Sequence, residues 1–266
     1  MDLLDIYSAV AFLCYLFATL AILSRLFHAN GPNLKLVLIT GTIAVLSHAL
    51  TNSQILFATD AVNFSLPNVV SIVSLLITIT VSIISFRYKI NLLLPVVYGF
   101  AGVWQLLMIF IPPIAEFTLT ADTALVFTHI VLSLIAYCIL VIATLYAFQV
   151  AYINMKLKNK NLSVISHLPP LMQVEKQLFI ILAIGTASLV IAELSGLVFL
   201  DNFLSKATAH KTILSLLSLL LYLVILWGHF KQGWRGHRAL MLTVIATALL
   251  TLSYFGSRFV KEFLLS

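Results

Sequence analysis

Eight stretches of this chain run for roughly twenty residues each with scarcely a charged side chain among them. Nothing constrains the fold more. A run of that length and character has one favourable solvent, the hydrocarbon interior of a bilayer, and one favourable backbone there, the helix, which satisfies its N–H and C=O groups internally. The composition agrees: 9% of residues are charged and 62% hydrophobic, whereas a soluble domain carries about 25% charge to wet its surface. The expected architecture is an all-α polytopic membrane bundle, a single domain over 1–266 with eight transmembrane helices. The apolar runs place those spans near 3–24, 34–56, 66–86, 92–111, 123–153, 178–200, 211–228 and 239–257. The first has an acidic flank (Asp2, Asp5) and a long apolar stretch, so it reads as a retained helix rather than a signal peptide.

Basic residues orient the bundle. Arg25, Lys35, Arg87, Lys89, Lys156, Lys158, Lys160, Lys176, Lys231, Arg235 and Arg238 fall in alternate loops, leaving Lys206, Lys211, Arg258 and Lys261 of the fifteen for the other side. The positive-inside rule then puts both termini outside and the loops near 25–35, 87–91, 154–177 and 229–238 in the cytoplasm of a bacterial cell. The net charge of +6 is thereby used at helix ends; no basic face with interleaved aromatics suggests a nucleic-acid partner. The expected surroundings are those of a multi-pass protein of the cytoplasmic (inner) membrane.

Several enzyme classes are unsupported. No P-loop, dinucleotide fingerprint or nucleophile–base pairing occurs, so no catalytic residue is assigned. Cys14 and Cys138 stand alone in apolar runs, without metal spacing or a haem-attachment motif, and read as packing residues.

Ionisable groups at membrane depth are costly and tend to be functional. His48, His129 and Glu193 are the ones that lie deep here, with His210 at a helix start. Counting residues from the span ends, and taking 1.5 Å per residue, both imidazoles sit roughly 9–12 Å below the outer boundary. Two histidines in one layer suggest metal ligands, His48 and His129 as the axial nitrogens of a non-covalent, b-type haem. Glu193 falls in the same layer, where a carboxyl can orient a ligand by hydrogen bonding. Lys211 and Arg258, with Lys206, are the outer bases available to haem propionates. The third span carries Ser71, Ser74, Thr78, Ser82 and Ser85 on one face, which reads as a close-packing surface.

A resemblance enters from about His48 onward. Thr128-His129-Ile130 with Ser133 and Ala136-Tyr137, then Glu175, Leu178, Phe179, Gly185 and Ser195-Gly196, then Gly233-Trp234-Arg235-Gly236 with Arg238-Ala239 and Tyr254-Phe255-Gly256, resemble in order the cytochrome c assembly family of CcsA- and CcmC-like membrane proteins. Pro169-Pro170-Leu171-Met172 and Trp227-Gly228-His229 look most like its HemX/YpjD-type branch. The resemblance implies haem binding linked to cytochrome c assembly or haem homeostasis, with His129 matching an outer histidine of the family. Two features of the family are missing. The region Leu200-Asp201-Asn202-Phe203-Leu204-Ser205-Lys206 holds no tryptophan where a tryptophan-rich loop is expected, and no second outer histidine follows Arg258. Those losses raise a second expectation, a regulatory or scaffold protein acting through its cytoplasmic loops, for which the HemX-type resemblance implies a partner such as a tetrapyrrole-synthesis enzyme.

Overall fold

In lipid, a backbone polar group left unbonded costs several kcal/mol, so long apolar runs close their hydrogen bonds within helices. The computed structural model describes residues 3–26, 28, 31–56, 61–62, 65–87, 92–111, 117–118, 124–159, 169–200, 209–256 and 259. Its helices are α1 (Leu3–Leu23), α2 (Leu34–Leu56), α3 (Leu66–Ser85), α4 (Leu93–Met108), α5 (Ala124–Lys158), α6 (Leu171–Phe199), α7 (Ala209–Gln232) and α8 (His237–Thr251). The last continues as a π-helical turn, Leu252–Gly256. Seven of these elements are long and apolar enough to cross a membrane, counting α8 with its π turn; α4 is apolar but shorter. The chain is an all-α polytopic membrane bundle. One small β element was not foreseen: β1 (Ala61–Val62) pairs antiparallel with β2 (Phe117–Thr118), Ala61 opposite Thr118.

The chain divides into two compact units. The first holds 1–119 and 162–169, the second 120–161 and 170–266. In the first unit α1 packs on α2 and α4, and α3 packs on the same two, giving a closed ring of four helices. In the second, α5 packs on α6 and α8, and α7 packs on the same two, with the π turn against α7 and α8. Close approach depends on small residues. A Cβ at Gly102 of α4 would press on Tyr15 of α1, and one at Gly185 of α6 would overlap the Leu140 side chain of α5.

Polarity is arranged inside out. On α1, Leu13, Leu16, Phe17 and Leu20 are exposed, while on α3 the hydroxyl residues Ser71, Ser74 and Thr78 are buried. That is the distribution a bilayer selects: apolar side chains meet lipid and polar ones find partners between helices. Many of the hydroxyls bond their own helix one turn back, as Thr78 does to the Ser74 carbonyl and Thr186 to that of Leu182.

Helix ends depart from the apolar runs where polar turns extend them. The fifth span was expected to stop near residue 153, and α5 continues to Lys158. The sixth was expected from 178, yet α6 starts at Leu171, directly after Pro169-Pro170. Proline favours helix starts because its missing N–H is not needed there, so the polar turn that follows is still helical.

Candidate functional site

Each four-helix unit holds one of the two deep histidines. His48 lies on α2, wholly buried, at the centre of a polar cluster to which all four helices of its unit contribute. Tyr15 of α1 places its hydroxyl 3.3 Å from Nδ1. Ser71 of α3 has Oγ 3.0 Å from Nε2. That oxygen also donates to Asn52 Oδ1 at 2.7 Å and accepts from Gln105 Nε2 of α4 at 3.1 Å. A serine hydroxyl has one proton and two lone pairs. With the proton on Asn52 and one lone pair taken by Gln105, the imidazole Nε2 must donate to the other. His48 is therefore the neutral Nε2–H tautomer, its Nδ1 accepting from Tyr15. Both ring nitrogens are in use.

His129 is prepared differently. It sits on α5, half-buried, with Nδ1 3.1 Å from the Ala192 carbonyl and 3.0 Å from Ser195 Oγ, both on α6. Ser195 spends its own proton on the same carbonyl at 2.7 Å. Nδ1 thus faces two acceptors and must carry the hydrogen. The neutral ring then presents a bare lone pair on Nε2, for which no hydrogen-bond partner occurs among the described residues. A histidine that donates one ring N–H to a backbone carbonyl while the other nitrogen stays basic is the arrangement metal-ligating histidines adopt.

Of the other expected site residues, Glu193 is half-buried on α6 beside Ser215 of α7 and Tyr254 of the π turn. It lies next to Ala192 in the chain, but the groups that orient His129 are Ala192 and Ser195. The π turn is docked by Ser253, whose hydroxyl donates to the Lys211 carbonyl at the start of α7; π turns occur often at functional sites. His210 is exposed. Lys206 and Arg258, with the tryptophan-free stretch 201–206, lie outside the described residues. No cluster of three or more histidine, cysteine or acidic side chains suited to a metal ion occurs among the described residues; two axial histidines would not form one. Cys14 and Cys138 form no disulfide.

The hairpin joining α7 to α8 carries more structure than composition suggested. α7 ends in an αL cap: the Gly233 N–H bonds the His229 carbonyl, and the Trp234 N–H reaches back to the Gly228 carbonyl. Gly233 has φ +67° as the motif requires. The Trp234 indole lies so close over Gly228 that any Cβ there would collide with it. His229 donates Nδ1–H to the Trp234 carbonyl at 3.1 Å and stacks on Phe179 of α6, centroids 3.4 Å apart. Arg235 and Glu175 of α6 add an ion pair at 4.0 Å, long and half in solvent, hence weak. The local signal was present in the sequence, a glycine five residues before Gly233-Trp234.

Comparison with known proteins identifies the scaffold. The model for the cytochrome c assembly protein family matches residues 36–265. The chain belongs to that family. It is 37% identical to the inner membrane protein YpjD of Escherichia coli strain K12 over 261 residues, 97% of this chain and 99% of that one, and the O157:H7 protein gives the same figures. An uncharacterized 28.8 kDa protein of Azospirillum brasilense is 33% identical over 52% of each chain. No solved structure matches. Membership in the YpjD branch makes this a multi-pass inner-membrane protein, and its family is one of membrane assembly factors, not enzymes.

Proposed function

We propose that this protein binds haem in the bacterial inner membrane, in cytochrome c assembly or haem homeostasis, with His129 as one axial ligand. The observation that carries the reading is the hold on His129: Nδ1–H is fixed by the Ala192 carbonyl and Ser195 hydroxyl, and Nε2 keeps its lone pair. Imidazole held in this way is a good ligand for iron, and haem would supply its own redox and binding chemistry there. His48, in the same layer by residue count, is the candidate for the second axial position. For that, its Nε2 has to release Ser71 and its proton has to move to Nδ1, where Tyr15 can accept it. Glu193 and Lys211 at the outer part of the second unit, and Arg258 beyond the described residues, are the polar groups proposed to meet the propionates or tune the ligand. The topology proposed with this reading is eight spans with both termini periplasmic, supported by the distribution of lysine and arginine.

The test is the visible spectrum of detergent-purified protein titrated with haemin. A Soret band with low-spin features is expected; His129→Ala abolishes it, and His48→Ala converts it towards a five-coordinate, high-spin form. Failure to take up haemin, or a spectrum unchanged by His129→Ala, removes the proposal.

The ordered α7–α8 hairpin supports a second reading, a scaffold or regulator whose cytoplasmic face, 154–177 together with 229–238, docks a protein such as a tetrapyrrole-synthesis enzyme. Its distinguishing result is a colourless protein that co-purifies with a cytoplasmic enzyme and loses it when Gly228→Leu displaces Trp234.

A further inference from the structure

Within the first unit, the cluster around His48 leaves two polar atoms without a protein partner. Asn52 Nδ2 and Gln105 Oε1 are both shut off from the surface with no hydrogen bond among the described residues. Neither residue is idle: Asn52 is 5% exposed and accepts from Ser71 through Oδ1, while Gln105 is 0% exposed and donates to Ser71 through Nε2. The two carboxamides therefore hang from one serine oxygen, and each points its other atom away from it. One of those atoms is a donor and the other an acceptor. Burying such groups unbonded costs about 1–3 kcal/mol each, and buried polar atoms in native proteins are almost always satisfied, by ordered water where protein does not reach.

We infer that a water molecule is bound between Asn52 and Gln105, accepting from Nδ2–H of the first and donating to Oε1 of the second. The hydrogen bonds then run in a closed ring, from Ser71 Oγ through the Asn52 amide, the water and the Gln105 amide back to Ser71 Oγ. Circulation around that ring has one direction. Ser71 gives its proton to Asn52 and receives from Gln105, so the only role left for its third partner is to be a donor. The water fills the two open valences and closes the ring; because Ser71 gives one hydrogen bond and receives one within that ring, its third partner has to donate, which holds His48 as the Nε2–H tautomer, bonded to Ser71 and closed to any metal at that nitrogen. Opening the ring is what would free His48 Nε2 for the ligand role proposed above. The water site itself does not rest on that role.

The experiment uses the haem-free full-length protein in lipid nanodiscs, so its result stands whether or not haem is ever bound. Solid-state NMR of protein labelled with ¹⁵N reads both parts. The His48 ring, assigned by its disappearance in His48→Gln, is expected with a protonated Nε2 and a bare Nδ1. The Asn52 side-chain amide is expected to receive magnetisation from water as quickly as an exposed amide does, and several-fold more slowly in Gln105→Leu, which removes the water's acceptor. A His48 signal protonated at Nδ1, or an Asn52 amide without contact to water in the unmodified protein, overturns the inference. Both decisive readings come from unmodified protein, so a Gln105→Leu chain that does not fold leaves the test intact.

Discussion

His48 and His129 are the same side chain, each within an apolar helix, yet the two units treat them oppositely. In the first unit the imidazole is a closed member of a network, bonded at both nitrogens to residues from neighbouring helices. In the second it is gripped at one nitrogen by α6 and left basic at the other. In both units a serine whose proton is committed elsewhere accepts from the ring, Ser71 of α3 and Ser195 of α6; the difference lies at the other nitrogen, which Tyr15 of α1 bonds in His48 and no described residue bonds in His129. A buried histidine is thus not one functional category. Its neighbours decide whether both ring nitrogens are spent or one stays basic.

The sharpest way to break this contrast is to remove the hub. Ser71→Ala leaves Gln105 Nε2–H without an acceptor and Asn52 Oδ1 without a donor, and leaves His48 only its hydrogen bond to the residue 71 backbone on that side. Each orphaned group costs about 1–3 kcal/mol in a protein interior, although hydrogen bonds measured within membrane bundles average nearer 0.6. A combined loss of about 2–4 kcal/mol is expected, read as a lower unfolding midpoint in a denaturing-detergent titration. A loss below about 0.5 kcal/mol would mean the cluster is not the network described.

Next in size is Gly228→Ala, which tests whether the second unit is firmest at its hairpin rather than at its histidine. The added methyl meets the Trp234 indole, and overpacking of this kind costs about 1–3 kcal/mol. Displacing the indole also loosens the His229–Phe179 stack. Tryptophan emission should shift to longer wavelength; an unchanged spectrum and midpoint would show that the glycine is dispensable. Tyr15→Phe is smaller. The ring stays packed against Tyr98, and the hydroxyl's bonds to His48 Nδ1 and Thr78 are lost, about 1 kcal/mol, measured by the same titration.

Much of the scaffold was legible because apolar length is read directly from composition. The described helices fall on the expected runs, seven of them long and apolar enough to cross a membrane and α4 shorter, and the errors are at their ends. Residues 171–177 were missed because Gln173, Glu175, Lys176 and Gln177 dilute the apolar signal, while the helix there needs only a proline start. The site was legible as far as residue type and depth. The hydroxyl face of α3 read as packing, and all of it but the half-buried Ser82 is buried as packing faces are; that Ser71 is also the hub of a network depends on Tyr15 and Gln105, which stand 56 positions below and 34 above it in sequence. No local spacing encodes such a meeting. Ser195, the second acceptor for His129, is invisible for the same reason: its value comes from facing a residue 66 positions away.

Ser195→Ala supplies the counterpart to Ser71→Ala and is expected to do the least. The Ala192 carbonyl, which can only accept, still holds His129 Nδ1–H at 3.1 Å. No buried donor is stranded, since the proton that Ser195 gave to that carbonyl vanishes with it. The stability change should stay within about 0.6 kcal/mol, the mean for one hydrogen bond in a membrane bundle. What should move is the ligand: with one acceptor instead of two the ring turns more freely, so a haem held through Nε2 should dissociate faster while the unfolding midpoint barely shifts. A midpoint drop as large as that of Ser71→Ala would make the two histidines alike, and the distinction between a hub and a poised ligand would go with it.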